Sequence, residues 1–268
     1  MERDEFMRRV CVAKNYIAAG DIYQVNLSYP WVAPWPRDAA PWAFYERLRS
    51  ISPSPFGAFV QLAGETIFSA SPECFLKMNG RSICTRPIKG TRPRGVDAVS
   101  DFSLSTELQS SAKERAELVM ITDLARNDLG QVCEFGSVRV LELLKLERFA
   151  QVHHLVSTVE GTLRAGVDHL AAFVACFPGG SISGAPKKRA LEIIAELEPH
   201  ERGLYTGAMG YFGFNGESQF SIAIRTAWLH EGTIRFHTGA GIVADSIAER
   251  EFEETQHKAA GLLAAARA

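Results

Sequence analysis

Phe75-Leu-Lys-Met-Asn-Gly-Arg-Ser-Ile-Cys84 sets Asn79-Gly80 between two short apolar stretches, Phe75-Leu76 and Ile83-Cys84. Asn and Gly accept positive φ at little cost, so Asn-Gly in this setting predicts a tight antiparallel hairpin. The same texture extends outward from Ala58 to Thr91, where apolar residues come in short stretches broken by turn chemistry. From about Ser103 to Asn127, Leu108, Ala112, Leu118, Ile121 and Leu124 recur at mixed three- and four-residue spacings. That spacing predicts one helix with a buried face. Two strands are expected at Ser137 to Leu146 and Val152 to Leu163, then helices at Asp168 to Cys176 and Ala185 to Leu197. The second of these opens on Pro186 and closes before Pro199. After Gly203 the pattern returns to strands with turns at Asn215-Gly216 and Glu231-Gly232. Ile247 to Ala266 reads as a helix, with a capping-box pattern at Ser246 and Glu249. The segment Pro30 to Pro41 reads as an irregular loop. Hairpin-linked strands with helices in separate stretches predict an α+β fold with antiparallel sheets rather than a doubly wound parallel one.

Size and composition narrow the function. The 268 residues are 46% apolar, enough for one large domain, and no linker or repeat divides them, so one domain over residues 1–268 is expected. A formal charge of -2, from 29 basic and 31 acidic residues, gives no global field for nucleic acid or a membrane surface. No apolar run reaches the ~20 residues that span a bilayer, and Met1 to Arg9 is charged rather than built as a signal peptide. Cys11, Cys74, Cys84, Cys133 and Cys176 are scattered without a CxxC pair, which suits reduced thiols in a cytoplasmic protein.

Four constellations carry chemistry. Glu251, Glu254 and Lys258 stand at i, i+3 and i+7 of the C-terminal helix, and Glu114 and Glu117 repeat the i, i+3 spacing on the earlier one. If the two helices face one another, four carboxylates converge, and such a cluster repels itself unless a hard cation such as Mg2+ sits in it. Taken alone, each pair reads first as a solvated helix face. Phe177-Pro-Gly-Gly-Ser-Ile-Ser-Gly-Ala-Pro-Lys187 is a glycine-rich turn entering a helix, and with Gly239-Ala-Gly241 it offers backbone amides to an anion. It is not a P-loop, because Ala185-Pro186 follows Gly184. Arg86-Pro-Ile-Lys-Gly-Thr91 ends a strand on a lysine that could be held against a substrate, though taken alone it reads first as a surface group in a basic loop. His153-His154 sends one imidazole to each side of a strand, with no HExxH spacing for a metal.

The order of these motifs resembles the chorismate-utilising enzymes, the family of anthranilate, aminodeoxychorismate, isochorismate and salicylate synthases. The resemblance runs from about Tyr16 to the C-terminus. It rests on Gly20-Asp-Ile-Tyr-Gln-Val-Asn-Leu-Ser28, Ser71-Pro-Glu73, Pro87-Ile-Lys-Gly-Thr91, Asp123-Leu-Ala-Arg-Asn-Asp128, His154-Leu-Val-Ser157, Gly184-Ala-Pro186, Ile224-Arg-Thr226, and Gly239-Ala-Gly241 with Glu254 and Lys258. It implies antiparallel sheets packed as a sandwich with helices outside. It implies that Glu117 and Glu254 hold Mg2+ with Glu114 and Glu251 beside them. Tyr205 and Arg225 resemble the grip on the enolpyruvyl carboxylate, and Gln24, Thr91, Ser181, Gly239, Ala240, Gly241 and Lys258 complete the substrate contacts. His154 resembles the histidine beside the ring.

Two positions separate the subfamilies. Isochorismate and salicylate synthases usually place a water-activating lysine where this chain has Gln24, and anthranilate synthases usually have Ala where it has Lys89. The resemblance therefore favours an aminodeoxychorismate synthase, in which Lys89 adds to the ring, Glu73 is the general acid, and ammonia comes from a glutamine amidotransferase subunit. An anthranilate synthase component I and a non-catalytic chorismate-binding module are the alternatives. The N-terminal region usual in the family is expected to be lacking.

Overall fold

The computed structural model describes residues 1–149 and 151–267. The single domain expected over residues 1–268 is organised as two compact units. The first comprises Met1–Pro72, Ile182–Gly207 and Ala223–Ala268, and the second Glu73–Ser181 and Ala208–Ile222.

Along the chain, the first unit opens with α1 (Arg3–Ala18), β1 (Gln24–Pro34), α2 (Pro41–Ile51), β2 (Phe56–Leu62) and β3 (Glu65–Ser71). The second unit follows with β4 (Cys74–Asn79), β5 (Ser82–Arg86), β6 (Ile88–Pro93), α3 (Ala98–Ser110), α4 (Ala112–Gly130), β7 (Arg139–Arg148), β8 (Val152–Thr162) and α5 (His169–Cys176). A short helix, α6 (Gly180–Ser183), leads to β9 (Gly184–Ala185) and α7 (Lys187–Leu197). The second unit regains β10 (Ala208–Phe212) and β11 (Glu217–Ile222), and the first ends with β12 (Thr226–His230), β13 (Thr233–Ile242) and α8 (Ala248–Arg267). Every strand pairing is antiparallel, and the α+β class expected from the sequence holds.

In the first unit the sheet runs β2-β3-β12-β13-β1-β9. Opposed pairs such as Leu27 and Ala240, or Asn26 and Gly241, share a face, so β1 and β13 together have two chemically distinct sides. Val25, Leu27, Tyr29, Ala240 and Ile242 form a core with Phe6 and Val10 of α1 and Ile193 and Ile194 of α7. The alternate positions, Gln24, Asn26, Ser28, Gly239, Gly241 and His237, make a polar face that is nonetheless buried at its side chains. Buried polar groups need partners, and here one guanidinium supplies several. Arg202, beyond α7, donates to both oxygens of Glu198 at 2.8 and 2.7 Å, to the Asn26 carbonyl at 2.6 Å and to the Ile182 carbonyl at 3.0 Å. Glu198 in turn accepts from the Ser28 amide and hydroxyl. The pair thereby fastens the turn after α7 to the middle of β1.

In the second unit the order is β10-β11-β4-β5-β8-β6, with β7 on the other edge of β8. The hairpin expected at Asn79-Gly80 is present. Asn79 opposes Ser82, so Gly80 and Arg81 form its two-residue loop, one position later than the Asn-Gly signal suggests. The helix expected over 103–127 is instead two helices. Ser111 is extended (φ -63, ψ 109) and its hydroxyl accepts from the Glu114 amide, ending α3 and capping α4. Of the loop expected from Pro30 to Pro41, residues 35–40 are irregular, while 30–34 belong to the end of β1 and Pro41 takes a first-turn position in α2.

Replacing Arg202 by Met strands the buried Glu198 carboxylate, and the unfolding free energy is expected to fall by about 3–5 kcal/mol. Urea titration measures the loss, and adding Glu198→Gln should return part of it.

Candidate active site

In the second unit, β6 is interrupted at Gly90. Lys89 opposes Leu155 and Thr91 opposes His154, so Gly90 is the extra residue of a β-bulge, at φ 74. Without a bulge Lys89 and Thr91 would share a face, whereas with it they answer to opposite sides of β8. Leu155 packs against Leu108 of α3 and Leu118 of α4. On that side the Lys89 amine lies 3.9 Å from Glu117 of α4. On the other, the Thr91 hydroxyl is 3.0 Å from His154 Nδ1, which also lies 3.2 Å from the Gly90 carbonyl. A carbonyl only accepts, so Nδ1 carries a proton and donates.

Glu114 and Glu117 stand one turn apart on α4, with Glu117 buried. Their mutual repulsion is relieved by cations of the chain: Arg92 lies 3.7 Å from Glu114, and Lys113 and Lys89 each lie 3.9 Å from Glu117. Glu73, also buried, and Ser181 line a small cleft with Asp128, Gly179 and apolar Phe75 and Ile121. His153, on the helix side of β8, bonds Asp101 of α3 at 2.9 Å. The Arg94 guanidinium beside Asp101 holds that carboxyl well below the usual carboxylate range.

In the first unit, Lys258 donates to the Gly239 carbonyl at 2.9 Å and pairs with Glu254 at 2.6 Å. Arg225, in the left-handed region at φ 51, donates to the Lys258 carbonyl at 3.1 Å. Burial lowers the pKa of Arg225, while Tyr205 and Glu254 oppose that shift. Burial raises that of Tyr205, so its hydroxyl stays a donor. Tyr205, Arg225, Gly239, Glu254 and Lys258 are thus brought together. Ala240 turns its methyl into the core, so only its backbone is available to a ligand. Gln24 is wholly buried, and both ends of its carboxamide meet no hydrogen-bond partner among the described residues. The capping box expected at Ser246 and Glu249 is replaced by a different contact. The Ser246 hydroxyl accepts from the Val243 amide and gives its single proton to Glu251 at 2.7 Å.

A family model described as chorismate binding enzyme matches residues 1–264. The chain belongs to the chorismate binding enzyme family. It is 48% identical to anthranilate synthase component 1 of Thermus thermophilus over 98% of this chain and 56% of that one. It is 45% identical to aminodeoxychorismate synthase component 1 of Bacillus subtilis, over 96% of this chain and 54% of that one. The crystal structure of anthranilate synthase component I from Streptococcus pneumoniae matches with a TM-score of 0.89 and 38% identity, over 98% of this chain and 58% of that one. The chain therefore spans about half the length of the curated relatives it matches.

Mg2+ is bound by one or two carboxylates with water and substrate oxygens completing its shell. Each unit offers one all-oxygen pair a helical turn apart, Glu114 with Glu117 and Glu251 with Glu254, so the donor chemistry fits. Among the described residues, no three acidic, histidine or cysteine side chains form a group that could hold a metal ion unaided. No described helix is long and apolar enough to cross a membrane.

Glu198, Arg202, Asn26 and His237 were not singled out from the sequence. The i, i+4 spacing of Glu198 and Arg202 is the one signal that could have found the first two. His237 is 4% exposed, and burial, with Arg202, Arg235 and His200 nearby, lowers its pKa to about 4. Unfolded, it titrates near 6.5. Above that value neither state is charged. As pH falls from about 6.5 to 4 only the unfolded chain takes up the proton, and stability drops by up to roughly 3 kcal/mol. Denaturation midpoints across that window should fall less steeply for His237→Gln.

Gly90→Ala adds a Cβ 2.7 Å from Leu108 Cδ1 and 3.1 Å from Glu114 Oε2, in a left-handed conformation. A thermal shift corresponding to a loss of about 1–3 kcal/mol is expected.

Proposed function

We propose that this chain is the chorismate-aminating part of an aminodeoxychorismate synthase, forming 4-amino-4-deoxychorismate from chorismate and ammonia. The observation that carries the reading is Lys89, held by the Gly90 bulge 3.9 Å from Glu117, at the position where the resemblance separates amination at C4 from amination at C2. The neutral Lys89 amine attacks C2 of the ring, both conjugated ring double bonds shift by one bond, and the C4 hydroxyl leaves as water with a proton from Glu73. Ammonia then attacks C4, both double bonds return, the C2–N bond to Lys89 breaks to restore the amine, and the proton lost by the new C4 amine returns to Glu73. His154 and Thr91 orient the ring, and Ser181 and Gln24 complete the contacts of the reacting end. Tyr205 and Arg225 hold the enolpyruvyl carboxylate, Arg225 by a charge-assisted fork. Lys258 and the backbone of Gly239, Ala240 and Gly241 add cationic and amide character. When bound, Mg2+ would neutralise the ring carboxylate, and Glu114, Glu117, Glu251 and Glu254 are the residues that would hold it.

A glutamine amidotransferase subunit is the proposed ammonia source and the cytoplasm the proposed compartment. The alternative reading is anthranilate synthase component I. It is favoured by the several relatives of that name at 44–48% identity.

Incubation with chorismate, Mg2+ and ammonium salt, followed by chromatography and mass spectrometry, separates the two. Accumulation of 4-amino-4-deoxychorismate supports the proposal, whereas fluorescent anthranilate would replace it with the alternative. Lys89→Ala should lower the rate by at least about 100-fold with ammonia present. Full activity in that variant would remove the covalent step.

A further inference from the structure

Tyr205 is the one aromatic residue among the groups proposed to hold the carboxylate, and its ring and hydroxyl are fixed by residues outside that set. The Asn26 side chain on β1 lies beside its hydroxyl. The Arg202 guanidinium stands 5.8 Å from its ring centroid. The imidazole of His237, on β13, stacks against the same ring, with centroids 5.2 Å apart and planes 15° from parallel. His237 opposes Pro30 across the β1–β13 ladder, two positions along the same face from Gly239. A Cβ on Gly239 would come within 3.0 Å of the Tyr205 hydroxyl, so the phenol lies directly over that glycine. The chain turns sharply on either side of it, with Thr206 at φ 64.

We infer that His237 is a positioning residue that sets the plane of the Tyr205 ring and so aims its hydroxyl at the substrate carboxylate. A tyrosine has two side-chain torsions. Close approach to Gly239 limits where the hydroxyl ends, and a flat neighbour is needed to fix the rotation of the ring about that line. His237 supplies the flat neighbour and makes no other use of its Nε2, which is buried without a hydrogen-bond partner among the described residues. A second cation beside Arg202 would repel it, so the imidazole serves in its neutral form, as its burial dictates. The role therefore belongs to the ring rather than to a proton it carries.

This inference rests on the reading of Tyr205 as a carboxylate-holding residue, and three variants separate the two. Chorismate dissociation constants are measured by calorimetry with Mg2+ and without ammonium, and KM and kcat with ammonium. His237→Leu keeps the volume and removes the flat ring, and should weaken chorismate binding about tenfold and raise KM, with kcat within twofold. His237→Phe restores the ring without its nitrogens and should bind within twofold of the wild type. Tyr205→Phe tests the underlying reading and should lose affinity. Affinity unchanged in His237→Leu, or lost equally in His237→Phe, overturns the role of the ring while leaving Tyr205 in place. Unchanged affinity in Tyr205→Phe overturns both. Circular dichroism and the thermal midpoint of each variant report whether its fold is intact, and His237→Phe, which adds no polar atom to the interior, should melt no lower than the wild type.

Discussion

The bulge at Gly90 is the constraint on which the chemistry of the second unit depends. One extra residue in β6 sends Lys89 toward the acidic face of α4 and Thr91 toward His154, from positions two apart on one strand. A regular strand cannot do this, because residues two apart always share a face. The bulge needs a left-handed residue, and close packing against Leu108 and Glu114 leaves no space for a side chain there. Conformation and packing thus both require glycine, and the position of the amine follows from backbone geometry rather than from flexible reach.

The acidic pair on α4 shows how a charged cluster can exist in a folded chain. The expectation that such carboxylates need a hard cation follows from their mutual repulsion, yet Arg92, Lys113 and Lys89 already lie within 3.9 Å of them. In the first unit the device differs. One Glu251 oxygen accepts from a serine hydroxyl whose direction is fixed by a backbone amide, and Glu254 pairs with Lys258. Lys14 of α1 holds the carbonyl of that same serine at 2.6 Å, which ties the first helix of the chain to the turn that presents Glu251. Any ligand of these carboxylates must be compatible with partners that are already in place.

What the sequence made legible followed from local rules. Gly80 and Gly232 punctuate hairpins because tight two-residue loops need positive φ, and both loops occur where turn chemistry appears. Asp168 caps α5 as its short acceptor side chain allows. The pairs Glu114 with Glu117 and Glu251 with Glu254 were found because i, i+3 spacing survives in any helix. The break at Ser111 was missed because the apolar spacing continues across it, and only the capping hydroxyl marks the end of α3. The helix α1 was missed because its charged residues hide a narrow apolar stripe of Phe6, Val10 and Ala13. His237 and Arg202 were invisible for a different reason, since both act on β1 or Tyr205 from sequence positions whose pairing only the tertiary fold creates. That Ala240 faces the core and its glycine neighbours do not is a matter of strand register, which the motif Gly-Ala-Gly does not encode.

The central claim is that the amine fixed by the Gly90 bulge bonds to the substrate. Acid-quenching the protein after mixing with chorismate and Mg2+, without any source of ammonia, and weighing it intact and after trypsin, tests this most directly. A mass gain of one chorismate less one water, located at Lys89 with loss of tryptic cleavage there, is the predicted result. An unmodified Lys89 under conditions where ammonium supports turnover, or an adduct on a different side chain, would contradict it.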